Sequence, residues 1–305
     1  MSETASRLLV WLEWPEECFR LGEKSLAVLR DLAGGAHEIA VAHGEEEFLA
    51  LLGEATHIIT WHFKEEWYRL APRLKVLATP AAGRELVAWR KAPEGVKVHF
   101  GSFHGAIISE TVAAFMAAWA RGFFFKPPEG GIWPREWLSG KCRLLAGTRG
   151  VIAGYGRIGK AIGARLAALG IDVQGFSRAN LDGMEDAMRN ADWFILALPS
   201  DTGTDDFLSR DRIALLPPRA VVINIGRGNA IDEDALEDAL RSGRIAGAYL
   251  DVFKREPTQI NDGKAPADGL WAKGIANLVA MPHSSAFAPE YLPLAFKELK
   301  NEGLI

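Results

Sequence analysis

The sequence is poor in cysteine, has no long apolar run and carries no basic tract. Its two cysteines, Cys18 and Cys142, cannot form a disulfide framework and show no metal-ligand spacing, so we expect a reduced cytoplasmic setting and no bound metal. No stretch approaches the ~20 apolar residues of a transmembrane helix, which excludes a membrane partner. Polar residues such as Glu3 and Arg7 near the start predict no signal peptide. A net charge of −4 without a Lys/Arg-rich run argues against nucleic acid as a partner.

The length and the composition are those of a two-domain globular protein. Apolar residues make up 49% of the chain and charged residues 24%, which is ordinary for a globular fold. At 305 residues, the chain is long enough for two domains that each have a core. The ten tryptophans are most simply read as core and interface anchors.

The stretch from Arg149 to Lys160 predicts a short buried strand, a tight glycine turn and the start of a helix. In its Gly154-x-Gly156-x-x-Gly159 spacing, the first glycine makes the turn and the second leaves room for a pyrophosphate. The third lets the helix pack on the strand, and the anion would lie at the positive end of that helix. We therefore predict that a dinucleotide contacts the residues of this loop, which are Gly154, Tyr155, Gly156, Arg157, Ile158 and Gly159.

The surroundings of the loop decide between a nucleotide site and an ordinary glycine turn, which are about equally common for a bare G-x-G-x-x-G. Residues 151–153 are short and apolar, and Ile162 and Leu166 continue a helical stripe that Gly170 would end. A second strand is predicted at residues 171–176. The result is a complete β-α-β unit, which favours dinucleotide binding.

Strands and helices alternate along most of the chain. The further strands are predicted at residues 8–12, 38–42, 57–61, 75–79, 96–100, 193–198, 220–225, 246–253 and 278–281. The other helices are predicted at residues 25–32, 45–52, 64–74, 83–89, 232–240 and 291–299, with one more opened by Ser109. This alternation predicts an α/β protein with two doubly wound parallel-sheet domains.

Three polar residues that follow separate strands are candidates for catalysis. In open parallel sheets, ligands bind beyond the carboxyl ends of the strands, and Arg227, Glu256 and His283 lie at such ends. Arg227 would hold a substrate carboxylate and keto oxygen, and His283 would donate a proton to that oxygen as hydride arrives at carbon. Glu256 would pair with the imidazole and favour its charged form.

Each candidate also has a structural explanation. A single Arg after a strand is more often an ion-pairing surface residue, a Glu in a loop is usually solvated, and His283 can simply cap a turn. Taken together, three such residues above one glycine loop favour a catalytic function.

Four motifs in order carry a resemblance to a known family. They are Gly154–Gly159, Asn224–Asp232, Gly247–Pro257 and Met281–His283, and together the chain resembles the D-2-hydroxyacid dehydrogenase family, in particular NADP-dependent glyoxylate/hydroxypyruvate reductases. Members of that family interconvert 2-oxo acids and D-2-hydroxy acids with NAD(P).

The resemblance implies a role for several residues. Arg227, Glu256 and His283 match the substrate-binding arginine, the partner carboxylate and the acid/base histidine. Asp251 matches the aspartate that contacts the nicotinamide amide. The loop whose N–H groups receive the substrate carboxylate corresponds to Ala81, Ala82 and Gly83.

The resemblance also implies a domain plan. A flavodoxin-like substrate-binding domain would consist of residues 1–101 and 285–305, and a Rossmann dinucleotide-binding domain would span residues 102–284. A homodimer would be joined around residues 105–140. One departure concerns the pocket, because residues 284–287 read Ser-Ser-Ala-Phe where relatives often have a glycine-rich segment.

The end of the second strand of the β-α-β unit bears on the choice of cofactor. An NAD-preferring site places a carboxylate there to accept bonds from the ribose hydroxyls, but this strand ends in Ser177-Arg178. Asp172 lies at the opposite end of the strand. Ser177 and Arg178 suit a 2′-phosphate, so we expect NADP(H) to be preferred, with NAD(H) possible.

The main prediction is hydride transfer between NADP(H) and a small 2-oxo acid, with His283 as the acid/base. A non-catalytic nucleotide sensor with the same fold is an alternative, although a sensor has no need of an acid/base pair. A dehydrogenase of another small anion, such as formate or phosphite, is a second alternative, because those substrates also need an arginine.

Overall fold

The computed structural model describes residues 6–126, 130, 133–256 and 269–305, and within them it contains eleven strands and nine α-helices. The strands are β1 (Arg7–Trp11), β2 (Glu38–Val41), β3 (His57–Thr60), β4 (Val76–Thr79), β5 (Lys97–Phe100), β6 (Arg149–Ala153), β7 (Asp172–Phe176), β8 (Trp193–Leu196), β9 (Val221–Asn224), β10 (Gly247–Leu250) and β11 (Leu278–Ala280). The helices are α1 (Glu23–Ala33), α2 (Glu45–Leu51), α3 (Gly105–Ala120), α4 (Arg135–Ser139), α5 (Arg157–Ala168), α6 (Met184–Met188), α7 (Arg210–Leu215), α8 (Glu233–Arg241) and α9 (Tyr291–Asn301). Among the described residues, no helix combines the length and the apolarity that crossing a bilayer requires.

The chain divides into two compact units. The outer unit consists of residues 1–104 and 287–305, so it is discontinuous in sequence, and the central unit consists of residues 105–286. Each unit contains one sheet in which every strand pairing is parallel. The predicted fold class, two α/β domains with parallel sheets, is therefore confirmed.

The sheet of the outer unit has the strand order β2-β1-β3-β4-β5. This is the flavodoxin-like doubly wound order. One face is covered by a core that includes Phe48, Ile58 and Leu77, all fully buried. Burial of each of these side chains contributes roughly 1.5–3 kcal/mol to stability.

The sheet of the central unit has the strand order β11-β10-β9-β8-β6-β7, so chain growth reverses at β6. Successive residues of a strand point to opposite faces, and here both faces are covered: Val151 packs in one core cluster and Ile152 in the other. In such sheets, ligands bind at the carboxyl ends of the strands on either side of the reversal, here β6 and β8. The glycine loop follows β6 at this point.

Two expectations about helices in the outer unit are wrong. Residues 83–89 do not form a helix, because Val87 lies in a parallel bridge with Phe63: the Phe63 N–H donates to Leu86 and the Ala88 N–H donates to Phe63. The helix expected over residues 64–74 is reduced to a 3₁₀ segment, Glu65–Leu70. Pro72 lacks the N–H that a longer helix would need.

Ser109 does not open α3, which begins one turn earlier at Gly105. The side chain of Ser109 is buried inside the helix, where its hydroxyl donates to the Ala106 carbonyl at 3.1 Å and accepts from Arg165 Nε at 2.9 Å. A serine can therefore satisfy its hydroxyl within a helix, and its presence alone does not mark an N-terminus.

The C-terminal helix α9 is tied to β5 by one carboxylate. Glu298 accepts hydrogen bonds from His99 Nε2 (2.8 Å), from the Ser102 N–H (2.9 Å) and from the Ser102 hydroxyl (2.6 Å). Burial alone would raise the pKa of Glu298, but the bonds from Ser102 and His99 outweigh it and lower that pKa. These bonds join the C-terminal segment to the sheet of the outer unit.

Candidate active site

The three glycines of the loop have the three geometries that the spacing predicts. Gly154 has a φ of +97°, and a Cβ there would lie 2.4 Å from the Ala197 carbonyl oxygen. A Cβ on Gly159 would lie 2.2 Å from the Gly154 carbonyl oxygen, so the helix can pack this closely only without a side chain. A Cβ on Gly156 would meet nothing within 4 Å. The middle glycine therefore faces open space at the N-terminus of α5, and the pyrophosphate contact expected there stays a prediction.

Tyr155 supports the loop from behind. Its backbone N–H and that of Gly154 both donate to the Phe176 carbonyl, at 2.8 and 2.9 Å. Its ring occupies space left by two other glycines, since a Cβ on Gly175 would lie 2.1 Å from the ring and one on Gly163 would lie 2.7 Å from the hydroxyl. The ring is thus a wedge between β7 and α5, and the role that the structure gives Tyr155 is to fix the loop.

Arg178 lies just past the end of β7, where the sequence predicts it, but it has a partner that the sequence did not indicate. Its Nη2 donates to Asp201 Oδ2 at 2.5 Å. Asp201 follows β8, so a carboxylate reaches this end of the sheet from a different strand. Ser177, the other predicted residue, forms a one-residue bridge with Asn180.

His283 and Glu256 form a direct pair. Nδ1 of His283 lies 2.9 Å from Glu256 Oε2, while Glu256 Oε1 accepts from the Phe253 N–H at 3.0 Å. The pairing uses Nδ1 and not Nε2, and the side chain of His283 is half exposed. The carboxylate orients the ring, as expected for an acid/base histidine.

Arg227 is part-buried, and its Nη1 donates to the Gly226 carbonyl at 2.9 Å. Its charge acts on both members of the pair, because it contributes to lowering the pKa of Glu256 and opposes the rise in the pKa of His283. The structure therefore brings together the three residues expected at three strand ends.

The electrostatics of the pair favour the charged form of the imidazole. The hydrogen bond that His283 donates to Glu256 raises the pKa of His283 above its ordinary 6.5, and this effect exceeds the opposing effect of burial. Burial alone would raise the pKa of Glu256, but the bond with His283 and the nearby positive charges lower it below 4.5. Both shifts favour an imidazolium paired with a carboxylate, and the charge of Arg227 acts on each.

Backbone packing places the segment that carries Glu256. A Cβ on Gly228 would lie 1.9 Å from the Phe253 carbonyl carbon, so the residue after Arg227 must be glycine for the two segments to meet. The Lys254 N–H donates to Glu233 Oε1 at 2.7 Å. Glu233 is thereby a support of this segment that sequence reasoning missed.

Asp251 fixes the turn that carries His283. Its carboxylate is buried and accepts the N–H groups of Ser284 (2.8 Å) and Ser285 (3.0 Å), while its carbonyl accepts the His283 N–H at 2.8 Å. This turn holds His283 at a φ of +55°, which is uncommon for a residue with a side chain. The nicotinamide contact inferred from the family resemblance stays a prediction for Asp251.

The segment after His283 is anchored by a second buried contact. Ser285 Oγ lies 3.0 Å from the hydroxyl of Tyr249, and burial raises the pKa of that phenol to about 12. Both hydroxyls therefore stay protonated and bonded. A glycine in place of Ser285 would have no hydroxyl to bond to Tyr249.

The predicted substrate loop belongs to the outer unit and follows β4. Thr79 Oγ1 accepts from the Ala81 N–H at 3.3 Å, and the Ala81 carbonyl accepts from the Gly101 N–H at 3.0 Å. Within the described part of the chain, the N–H groups of Ala82 and Gly83 have no protein acceptor. Two donors are thus presented by a loop whose base is fixed.

A family model and several curated proteins match this chain. The model described as "D-isomer specific 2-hydroxyacid dehydrogenase, NAD binding domain" matches residues 125–285, more than half of the chain. D-3-phosphoglycerate dehydrogenase of Methanocaldococcus jannaschii is 27% identical over 88% of this chain and 53% of its own length. Glyoxylate reductase of Thermococcus kodakarensis is 30% identical over 63% of this chain and 64% of its own length. The chain thus spans between half and two thirds of these relatives.

Solved structures share the fold. A D-isomer specific 2-hydroxyacid dehydrogenase from Xanthobacter autotrophicus Py2, in complex with NADPH and MES, has a TM-score of 0.72 and 24% identity, covering 97% of this chain and 96% of that chain. The NAD-complexed enzyme of Lactobacillus delbrueckii ssp. bulgaricus has a TM-score of 0.78 and 18% identity, covering 98% and 96%. At these identities, the likeness concerns the fold.

Proposed function

The chain belongs to the D-isomer specific 2-hydroxyacid dehydrogenase family, and on that premise we propose that it catalyses hydride transfer between a nicotinamide cofactor and a small 2-oxo acid or D-2-hydroxy acid. The observation that carries the proposal is the 2.9 Å contact between His283 and Glu256, with the charge of Arg227 acting on both. A proton donor, its orienting carboxylate and a carboxylate-binding cation are what reduction of a 2-oxo acid needs.

Each residue has a role in this proposal. The fork of Arg227 binds the substrate carboxylate and the keto oxygen, and the N–H groups of the Ala81–Gly83 loop receive the carboxylate. The His283 imidazolium donates a proton to the oxygen during reduction and accepts it during oxidation. Glu256 stabilises the charged ring, and the loop Gly154–Gly159 binds the pyrophosphate. The bound nicotinamide supplies or accepts the hydride.

We propose NADP(H) as the preferred cofactor and NAD(H) as a possible one. Ser177 and Arg178 lie at the end of β7, where the 2′-position of the adenosine ribose is bound in this fold. An arginine there can pair with a 2′-phosphate. A similar structure binds NADPH and another binds NAD, so the fold accommodates both.

We propose glyoxylate or hydroxypyruvate as the substrate class. Relatives that match 63% and 71% of this chain are a glyoxylate reductase of Thermococcus kodakarensis and a hydroxypyruvate reductase of Thermotoga maritima. Both compounds present the carboxylate and the adjacent carbonyl oxygen that Arg227 would bind.

We propose that the protein is a cytoplasmic homodimer joined through the segment around residues 105–140. Phe123, Trp133 and Leu144 in and beside this segment are 79, 84 and 73% exposed, which is unusual for apolar side chains and typical of an interface. Cys18 and Cys142 are both free thiols, in keeping with a reducing compartment. Sedimentation equilibrium should give twice the chain mass of 33.3 kDa.

The test is a panel of small anions assayed with each cofactor. Glyoxylate, hydroxypyruvate and pyruvate are added to enzyme with NADPH or NADH, and formate and phosphite are added with NADP or NAD. We expect NADPH oxidation with at least one 2-oxo acid. Nucleotide binding without turnover of any 2-oxo acid would support a sensor, and turnover of formate or phosphite alone would support a dehydrogenase of another anion.

A further inference from the structure

The contact between Arg178 and Asp201 concerns the residue on which the cofactor prediction depends. Arg178 Nη2 lies 2.5 Å from Asp201 Oδ2, and the Arg178 side chain is otherwise 79% exposed. The sequence places no carboxylate at the end of β7, but the fold supplies one from the turn after β8. These two strands flank β6, which carries the glycine loop.

Asp201 is held in place independently of Arg178. Its Oδ1 accepts from the Gly203 N–H at 2.9 Å, and its own N–H donates to Thr204 Oγ1 at 3.1 Å. The Thr204 hydroxyl also lies 2.8 Å from the Pro199 carbonyl. The carboxylate is therefore part of a turn held by its own hydrogen bonds, and it faces Arg178 as a fixed counter-ion.

A fixed carboxylate changes what Arg178 offers to a nucleotide. A 2′-phosphate must share the guanidinium with Asp201, and it also meets the negative charge of that side chain. A ribose that carries a 2′-hydroxyl has no charge to be repelled. The pair therefore opposes the binding of NADP(H), which carries the 2′-phosphate, more than it opposes the binding of NAD(H).

We propose that Asp201 is a specificity-determining residue that limits the preference for NADP(H) by competing with the 2′-phosphate for Arg178. This inference rests on the proposed nucleotide site and adds to it a residue that weakens the selection of NADP(H) over NAD(H). The protein consequently binds both cofactors, with a smaller preference for NADPH than Arg178 alone would give.

The experiment measures the dissociation constants of NADPH and NADH by fluorescence titration at an ionic strength of about 0.1 M, where the Debye length is about 10 Å. Asp201→Asn removes the charge and retains an oxygen for the Gly203 N–H. Because the pair is exposed, we expect a gain of about three- to tenfold in NADPH affinity and a change within about twofold for NADH. Asp172→Asn is the matched control, because it makes the same charge change at the other end of β7, beyond about one Debye length.

Arg178→Ala completes the cycle. It should weaken NADPH binding by about tenfold or more. In the Arg178→Ala background, Asp201→Asn should raise NADPH affinity by a smaller factor than it does in the wild type. The inference is overturned if Asp201→Asn leaves the ratio of the dissociation constants of NADH and NADPH unchanged, or if it weakens the binding of both cofactors equally. It is also overturned if that ratio rises because NADH binding is lost and not because NADPH binding is tighter. A wild-type protein that binds neither cofactor would overturn the nucleotide site itself. Binding without turnover would overturn the proposed reaction and leave this inference standing.

Discussion

Replacement of His283 by glutamine is expected to lower kcat for 2-oxo acid reduction by about 10²–10⁴-fold, the usual contribution of a positioned general acid. Glutamine has a similar reach and can still bond to Glu256, but it cannot donate a proton to the developing alkoxide. NADPH affinity should change by less than about twofold, because no part of the predicted nucleotide loop is altered. Steady-state kinetics and fluorescence titration measure the two quantities separately.

His99→Gln is the matched control for this variant. His99 also lies 2.8 Å from a part-buried carboxylate, that of Glu298, but it is in the outer unit and has no proposed part in proton transfer. Assayed well below its melting temperature, this variant should retain kcat. A His283→Gln enzyme with kcat within about fivefold of wild type would rule out the assigned role.

Replacement of Arg227 by lysine is expected to lower kcat/KM for the 2-oxo acid by about 10²–10³-fold, because a fork of parallel donors is lost at the transition state. Lysine keeps the positive charge that acts on His283 and Glu256, so the pH dependence of the remaining activity should change little. The measurement is kcat/KM across the pH range in the variant and the wild type.

Arg227→Gln separates charge from geometry. It removes the positive charge, and the pKa of His283 should then rise further, because Arg227 opposes that rise. The activity limb set by His283 would move to higher pH in this variant and stay in place in the lysine variant. Equal kinetics for both variants and the wild type would show that Arg227 binds no substrate.

The fold class and the glycine loop were predictable because their causes are local in sequence. The glycine spacing encodes where backbone must approach backbone, and Gly154 and Gly159 show the close contacts that this spacing implies. The three candidate catalytic residues were predictable for a related reason. Parallel strands end at one edge, so residues after β9, β10 and β11 gather there without any further information.

What the sequence could not indicate depends on pairings between distant residues. Residues 83–89 have the composition of a short helix, but their backbone groups pair with Phe63. The wedge formed by Tyr155 becomes visible only when Gly163 and Gly175 are seen to face its ring. Asp201 lies 23 residues from Arg178, and its Asp-x-Gly turn indicates a loop but not a partner.

The most direct test of the account is the pH dependence of kcat/KM for 2-oxo acid reduction in the wild type and in Glu256→Gln. Reduction needs the imidazolium, so activity should be full at low pH and should fall as pH rises through the raised pKa of His283, above 6.5. In Glu256→Gln the hydrogen bond that chiefly raises this pKa loses its charged acceptor, and the fall should occur at lower pH. The same midpoint in both proteins, or no fall in either, would contradict the pairing of His283 with Glu256 as the source of the proton.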